Sequence, residues 1–77
     1  MPKYPKPIMK KSELVAMGFP DEYLMYIYRM PGQKVAHKLN PTKKNSPLLF
    51  DTEALEQFRQ KQIRIELQSM QEHNKIN

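Results

Sequence analysis

The chain has 77 residues and no cysteine, which favours one small domain without disulfides or cysteine-ligated zinc and leaves little room for a catalytic cleft. Its 13 Lys and Arg residues outnumber 8 Asp and Glu residues, and the resulting charge of +5 indicates either a polyanionic partner or a simple need for solubility. No apolar run approaches the roughly 18 residues of a membrane span, so we expect a cytoplasmic protein without a membrane partner.

The cations are concentrated in the middle of the chain. Between residues 23 and 50 there are five cations and no anion, whereas residues 51–77 carry four cations and five anions and are nearly neutral. The N-terminal part of the chain is also basic and carries four further lysines: Lys3, Lys6, Lys10 and Lys11. We therefore expect the cations between Arg29 and Lys44 to gather on a single basic surface.

Composition divides the chain into three parts. Residues 1–7 contain three prolines and are expected to form a flexible N-terminal arm. Residues 8–60 carry the apolar pattern of one folded domain, which Ile8 and Met9 begin in extended form. Residues 61–77 are expected to continue the last helix as an extension that frays at its end.

Two short helices are predicted at the start of the domain. The first covers residues 11–17 and ends at Gly18, which supplies the positive φ of a helix C-terminus. The second opens at Pro20 and continues to about residue 30. Its buried stripe should consist of Leu24, Ile27 and Tyr28. Its outer face should carry Met25, Tyr26 and Arg29.

A β-hairpin is predicted after the second helix. Val35, His37 and Leu39 alternate with three other residues, the pattern of a half-buried strand with His37 on the buried face. Residues 40–47 are dense in turn formers, and residues 48–50 form an apolar return strand. The connection is longer and more basic than an ordinary hairpin loop, which is typical of a loop with a function.

The last predicted element is a longer helix. Asp51 is a suitable N-cap, and the helix should begin at Thr52 and remain ordered to about Ser69. Leu55 and Phe58 are its expected core anchors. Further along, Ile63, Leu67 and Met70 follow an i, i+4, i+7 spacing, which indicates either a solvated extension or weak or DNA-dependent self-association rather than a stable dimer.

The fold class expected from this order is α+β, a small winged helix-turn-helix with two short helices, a hairpin wing and a longer C-terminal helix. Three stretches carry a family likeness: residues 12–19, the apolar positions of the second helix, and residues 49–58. Over residues 8–60 the chain resembles the excisionase-like domains, relatives of the MerR-type DNA-binding domain. Two features depart from that family, namely the acidic Asp21 and Glu22 at the start of the second helix and the length of the wing.

The resemblance implies duplex DNA binding on behalf of a mobile element or phage, either as a recombination directionality factor that bends DNA or as a small transcription regulator. The expected phosphate contacts are six lysines and one polar neighbour: Lys10, Lys11, Lys34, Lys38, Lys43, Lys44 and Asn45. Base reading is expected from Arg29, aided by Tyr26 and Met25. Each of these side chains also has an ordinary interpretation as solvated surface or local packing.

Other functions remain open to different degrees. A protein-binding module that inhibits or modulates a host or phage protein is the main alternative, with the outer face of the second helix and the last helix as its interface. Single-stranded RNA binding is disfavoured because no row of aromatic residues offers a stacking surface. We expect no enzymatic activity, cofactor, small-molecule substrate or metal site, since no nucleophile has a recognisable setting and His37 and His73 lie far apart.

Overall fold

The computed structural model describes residues 4–75, and the side chains of residues 4–70. The elements in chain order are β1 (Ile8–Lys10), α1 (Lys11–Met17), α2 (Asp21–Arg29), β2 (Ala36–Lys38), β3 (Leu48–Asp51) and α3 (Thr52–Lys75). β3 lies at the centre of an antiparallel three-stranded sheet, with β1 and β2 on its two sides. The predicted α+β class is confirmed, and the elements have a winged helix-turn-helix arrangement. Residues 1–3 and 76–77, the outer ends of the predicted arm and extension, lie outside the described residues.

The corner between α1 and α2 is determined locally by Gly18. Its φ of 116° is accessible to glycine, and its N–H donates to the Val15 carbonyl oxygen at 3.0 Å. The next N–H, of Phe19, donates to the Leu14 carbonyl oxygen at 3.1 Å. α1 therefore ends where the sequence predicts. α2 begins one residue later than predicted, because Pro20 has an extended ψ of 137° and serves as the N-cap instead of the first helical residue.

One hydrophobic core joins the helices to the sheet. The fully buried side chains with the largest volumes come from α1, α2, β3 and α3, and Tyr28 and Phe58 pack against them partly buried. The buried core residues are Met9, Leu14, Leu24, Ile27, Val35, Ala36, Phe50 and Leu55. Burying an aliphatic or aromatic side chain contributes about 1.5–3 kcal/mol, so these residues fix the positions of all six elements.

The predicted orientation of the first wing strand is wrong. His37 is exposed and Leu39 is 58% exposed, whereas Ala36 is buried and lies opposite Phe50. The reason lies in the residues before the strand. Gln33 accepts hydrogen bonds from the backbone N–H groups of Val35 and Ala36, and the side chains of these two consecutive residues are both buried in the core. Because side chains alternate along a strand, a shift of one residue moves His37 and Leu39 to the solvent side.

α3 begins as the sequence predicts and continues further. The Asp51 carboxylate accepts a hydrogen bond from the Ala54 N–H at 3.1 Å, which confirms the N-cap. The helix extends to Lys75, six residues beyond the predicted end at Ser69. Within the described residues, no helix combines the length and the apolar character needed to cross a membrane.

Residues 4–7, which bend before β1, are attached to the start of α3. Thr52 is buried, and its N–H donates to the Pro7 carbonyl oxygen at 2.9 Å. Its hydroxyl lies 3.0 Å from the carbonyl oxygens of both Lys6 and Pro7. The backbone just before β1 thus has specific partners on α3.

Tyr4 adds a side-chain attachment to the same helix. Its hydroxyl donates to Glu56 at 2.9 Å, and its ring stacks on Phe19 with centroids 6.2 Å apart. Burial, together with the hydrogen bond to the carboxylate, raises the pKa of Tyr4 to about 12. The hydrogen bond from Gln60, and then that from Tyr4, lowers the pKa of Glu56.

Candidate nucleic-acid interface

A groove of about 410 Å³ lies between the first two helices and the wing. Its helical side is formed by Lys10, Lys11, Ser12, Met25 and Tyr28, and its wing side by Lys38, Lys44, Ser46, Pro47 and Leu48. Among the described side chains no carboxylate lines it, while four lysines do. We call it the basic groove, since the fields of its four positive charges add and attract an anion.

The four lysines reach the basic groove from separate parts of the chain. Lys10 ends β1 and is the N-cap residue of α1, and Lys11 is the first residue of that helix. Lys38 ends β2, and its ammonium donates to the Lys43 carbonyl oxygen across the wing at 3.4 Å. Lys44 lies exposed in the loop that follows. Sheet pairing is therefore what brings the N-terminal lysines next to the wing.

The carboxylates closest to these lysines are engaged by cations. The Lys11 ammonium lies 2.7 Å from a carboxylate oxygen of Asp21, the first residue of α2. Glu13 pairs with Lys6 and accepts from the Lys10 N–H at 2.9 Å, and these contacts, that with Lys6 most strongly, lower its pKa. Asp21, one of the acidic residues that depart from the family pattern, is thus partly neutralised, and it draws Lys11 toward itself.

The wing loop, residues 39–47, has a second depression of about 560 Å³ on its other side. Its lining consists of Leu39, Asn40, Pro41, Lys43, Asn45, Ser46 and Pro47. Lys44 lines the basic groove and its neighbours Lys43 and Asn45 line the second depression, while Ser46 and Pro47 line both, so the two depressions adjoin along the loop. Lys43 and Asn45 consequently extend the basic surface around the tip of the wing.

The structure brings together half of the ten residues expected to contact DNA. Lys10, Lys11, Met25, Lys38 and Lys44 line the basic groove. Lys43 and Asn45 line the depression on the other side of the wing loop. Tyr26, Arg29 and Lys34 are exposed and line neither depression. Arg29 lies in the last turn of α2, where a cation also stabilises the helix dipole.

Some residues of the basic groove were not expected from the sequence. Tyr28 was assigned to the buried stripe of α2, but it is half-buried and also lines the groove. Ser46 accepts a hydrogen bond from the Asn40 N–H at 2.7 Å and so helps to shape the groove wall. Ser12 could have been found from the sequence because it lies next to Lys10 and Lys11. Ser46 could not, because its place in the groove wall depends on the conformation of the loop.

A larger, mainly apolar groove of about 770 Å³ lies between the start of α2 and the distal part of α3. Phe19 and Tyr23 stack at its edge with centroids 6.3 Å apart, and the Arg59 guanidinium lies 6.0 Å from the Phe19 ring centroid. Burial raises the pKa of Tyr23. From α3 the lining includes Arg59, Ile63, Glu66 and Met70. We call this depression the apolar groove.

Comparisons with known protein families, with curated protein sequences and with solved structures find no match to this chain. Within the described part of the chain, no group of three His, Cys, Asp or Glu side chains is arranged to hold a metal ion. Function is therefore inferred from the charge and geometry of the two grooves.

Proposed function

We propose that the chain binds duplex DNA through the basic groove and the wing loop. The observation that carries this proposal is the convergence of four lysines from three segments on a groove whose described lining holds no carboxylate. Lysines placed in this way neutralise backbone phosphates and release their counterions, which is the main source of affinity for DNA.

In this arrangement α2 faces the major groove and the wing lies on the backbone or in the adjacent minor groove. Met25 lines the basic groove, and Arg29 is its i+4 neighbour on the same helix face. An exposed arginine at that position can make bidentate contacts with guanine, and it supplies the sequence preference. Tyr26, 56% exposed, lies beside it and packs on the sugar edge.

The role we propose is that of a recombination directionality factor or a small transcription regulator of a mobile element such as a phage. The basis is the resemblance of residues 8–60 to excisionase-like domains, together with the winged helix-turn-helix arrangement of the elements. The chain acts by binding DNA in the cytoplasm, without a cofactor and without catalysing a reaction.

The salt dependence of binding tests the proposal. Four phosphate contacts give a log–log slope of affinity against salt of about −3.6. The double variant Lys38→Ala/Lys44→Ala should bring the slope to about −1.8 on every duplex. The control is the double variant Lys61→Ala/Arg64→Ala, which removes an equal charge from two exposed positions on α3 that do not line the basic groove.

Two results would contradict the assignment. An unchanged slope in Lys38→Ala/Lys44→Ala would remove the basic groove from the interface. An equal change of slope in Lys61→Ala/Arg64→Ala would show that only the net charge matters. For base reading, Arg29→Ala should cost about 1–3 kcal/mol on a selected site and little on random duplex. Equal losses on both would make Arg29 a backbone contact.

A second function, protein binding, is favoured by the apolar groove, and we propose a second copy of this chain as its occupant. Arg59 and Glu66 both line the groove and are seven residues apart on α3. Two antiparallel α3 helices would place Arg59 of each copy opposite Glu66 of the other, with Ile63 between the two pairs. A helix face that complements itself in this way fits a two-fold interface better than it fits an unrelated host or phage protein.

A further inference from the structure

Leu39 is the most exposed of the large hydrophobic side chains in the described residues, at 58%. The alternation of the sequence predicts that it faces the core, but β2 ends at Lys38 and the core positions are filled by Val35 and Ala36. Leu39 therefore projects from the start of the wing loop, where it lines the depression on the outer side of the loop.

The loop that carries Leu39 is held by a network of short-range hydrogen bonds. The Leu39 N–H donates to the Pro47 carbonyl oxygen at 2.9 Å, and the Asn40 N–H donates to the Ser46 hydroxyl at 2.7 Å. The Asn40 side-chain oxygen accepts from the N–H and the hydroxyl of Thr42 at 3.2 and 2.7 Å. A loop ordered in this way loses little conformational entropy when it binds, because Leu39 is already held in an exposed position before binding.

The surroundings of Leu39 are basic. Lys38 precedes it, Lys43 and Lys44 follow within the same loop, and no anion occurs between residues 23 and 50. A protein partner with an apolar pocket would not require so much positive charge. A partner with an anionic rim and an apolar interior would require this positive charge. The minor groove of a DNA duplex has that composition, because phosphates lie along its edges and stacked bases lie inside.

We infer that Leu39 enters the minor groove as a wedge that partly unstacks one base step and bends the duplex. Apolar side chains, leucine among them, kink DNA by about 20–90° when they enter a base step from the minor groove. The lysines around Leu39 hold the phosphates on both sides of the bend. This inference rests on the proposed DNA binding but concerns a different measurable quantity, the shape of the bound duplex.

The probe is a short duplex that contains TA and CA/TG steps, the steps that kink most easily, with 2-aminopurine beside them and a fluorophore at each end. Binding of the natural chain should shorten the end-to-end distance, seen as higher energy transfer, and raise the 2-aminopurine fluorescence. Leu39→Ala, at saturating concentration, should lose most of both signals while its salt slope stays that of the natural chain.

Two further variants separate the wedge from charge and from general hydrophobicity. Leu39→Lys adds a cation, so it should bind non-specific duplex more tightly and yet fail to bend it. Val15→Ala removes an exposed aliphatic side chain, 40% accessible on α1 and outside both depressions, and should bend DNA normally.

The outcomes distinguish the wedge from the proposed function. Binding without bending or unstacking by the natural chain would overturn the wedge and leave DNA binding in place. Equal bending by Leu39→Ala or Leu39→Lys would also overturn it. No binding at low salt would overturn both proposals together.

Discussion

The side-chain amide of Gln33 pairs with the backbone of Ala36 in both directions. Its Nε2 donates to the Ala36 carbonyl oxygen and its Oε1 accepts from the Ala36 N–H, each at 2.8 Å. The same Oε1 accepts from the Val35 N–H, also at 2.8 Å. β2 is an edge strand, so a side chain here supplies partners that a further strand would otherwise provide. Gln33 thereby sets the path of the backbone into the wing.

Replacing Gln33 by Ala should lower the free energy of unfolding by about 1–3 kcal/mol, because several partly buried backbone groups lose their partner. Gln33→Glu should also lower the free energy of unfolding, since its carboxylate still accepts from the two N–H groups but replaces the donor that faces the carbonyl oxygens of Ala36 and Tyr28 with a second acceptor. Urea denaturation measures both losses. The control is Gln57→Ala on the exposed side of α3, and a Gln33→Ala loss no larger than that control would show that water replaces the amide.

The attachment of Tyr4 to Glu56 predicts a stability difference that depends on pH. Near neutral pH, Tyr4→Phe should lower the free energy of unfolding by about 1 kcal/mol, since the stacking on Phe19 remains and one hydrogen bond is lost. The pKa of Tyr4 is about 12 in the folded chain against the ordinary value of 10.0. Above pH 10 the unfolded chain therefore loses the phenolic proton first, and the stability of the natural chain falls as pH rises through this range.

The Phe variant has no phenol at residue 4, so its stability should fall less, and the gap between the two proteins should narrow between pH 10 and 12. Urea denaturation at a series of pH values gives both curves. Tyr26→Phe, at an exposed tyrosine of α2, is the matched control and should leave the curve unchanged. A constant gap for Tyr4→Phe across the range would contradict the assigned cause.

The features that were predictable from the sequence are those decided by neighbouring residues. Gly18 ends α1 because the required backbone conformation is strained for other residues, and Asp51 begins α3 because its side chain reaches the third N–H of the helix. The apolar spacing of α2 likewise identifies Leu24 and Ile27 as core residues.

The features that were not predictable depend on contacts between distant residues. β1 exists because Met9 lies opposite Phe50, a pairing that three residues of sequence cannot specify. The face of β2 depends on the hydrogen bonds of Gln33 and on the register with β3. For the same reason the charge pattern singled out these lysines, but did not predict that Lys10 and Lys11 share a groove with Lys38.

The ion pair between Lys11 and Asp21 predicts that removing an acid strengthens DNA binding. Asp21→Asn removes an anion from the leading end of α2 and the carboxylate that competes with phosphate for the Lys11 ammonium, so affinity should rise several-fold. The same change should cost about 0.3–1 kcal/mol of stability, since an acid in the first turn favours the helix dipole. Glu53→Gln, which removes an acid from the first turn of α3, is the control for net charge. An equal gain in that control would mean that Asp21 has no local effect.

The proposed pairing of two α3 helices predicts a specific pattern of cross-links. The chain has no cysteine, so single-cysteine variants report one position each. With Arg59 of one copy opposite Glu66 of the other, Ile63 lies beside its own symmetry mate, whereas the two Met70 residues are separated by about 22 Å at the rise of an α-helix. A disulfide needs Cα atoms closer than about 7 Å. Ile63→Cys should therefore cross-link under mild oxidation, more strongly when duplex DNA is added, and Met70→Cys should not.

A parallel pair would cross-link at both positions, and a chain that does not self-associate would cross-link at neither. Charge reversal gives an independent reading of the same interface. Arg59→Glu and Glu66→Arg should each weaken association, because each places two like charges opposite one another in both pairs. Mixing the two variants should restore it, since both pairs in the mixed dimer are again of opposite charge. Failure of the mixture to associate, measured by sedimentation with and without DNA, would remove the antiparallel arrangement and with it the second copy as the occupant of the apolar groove.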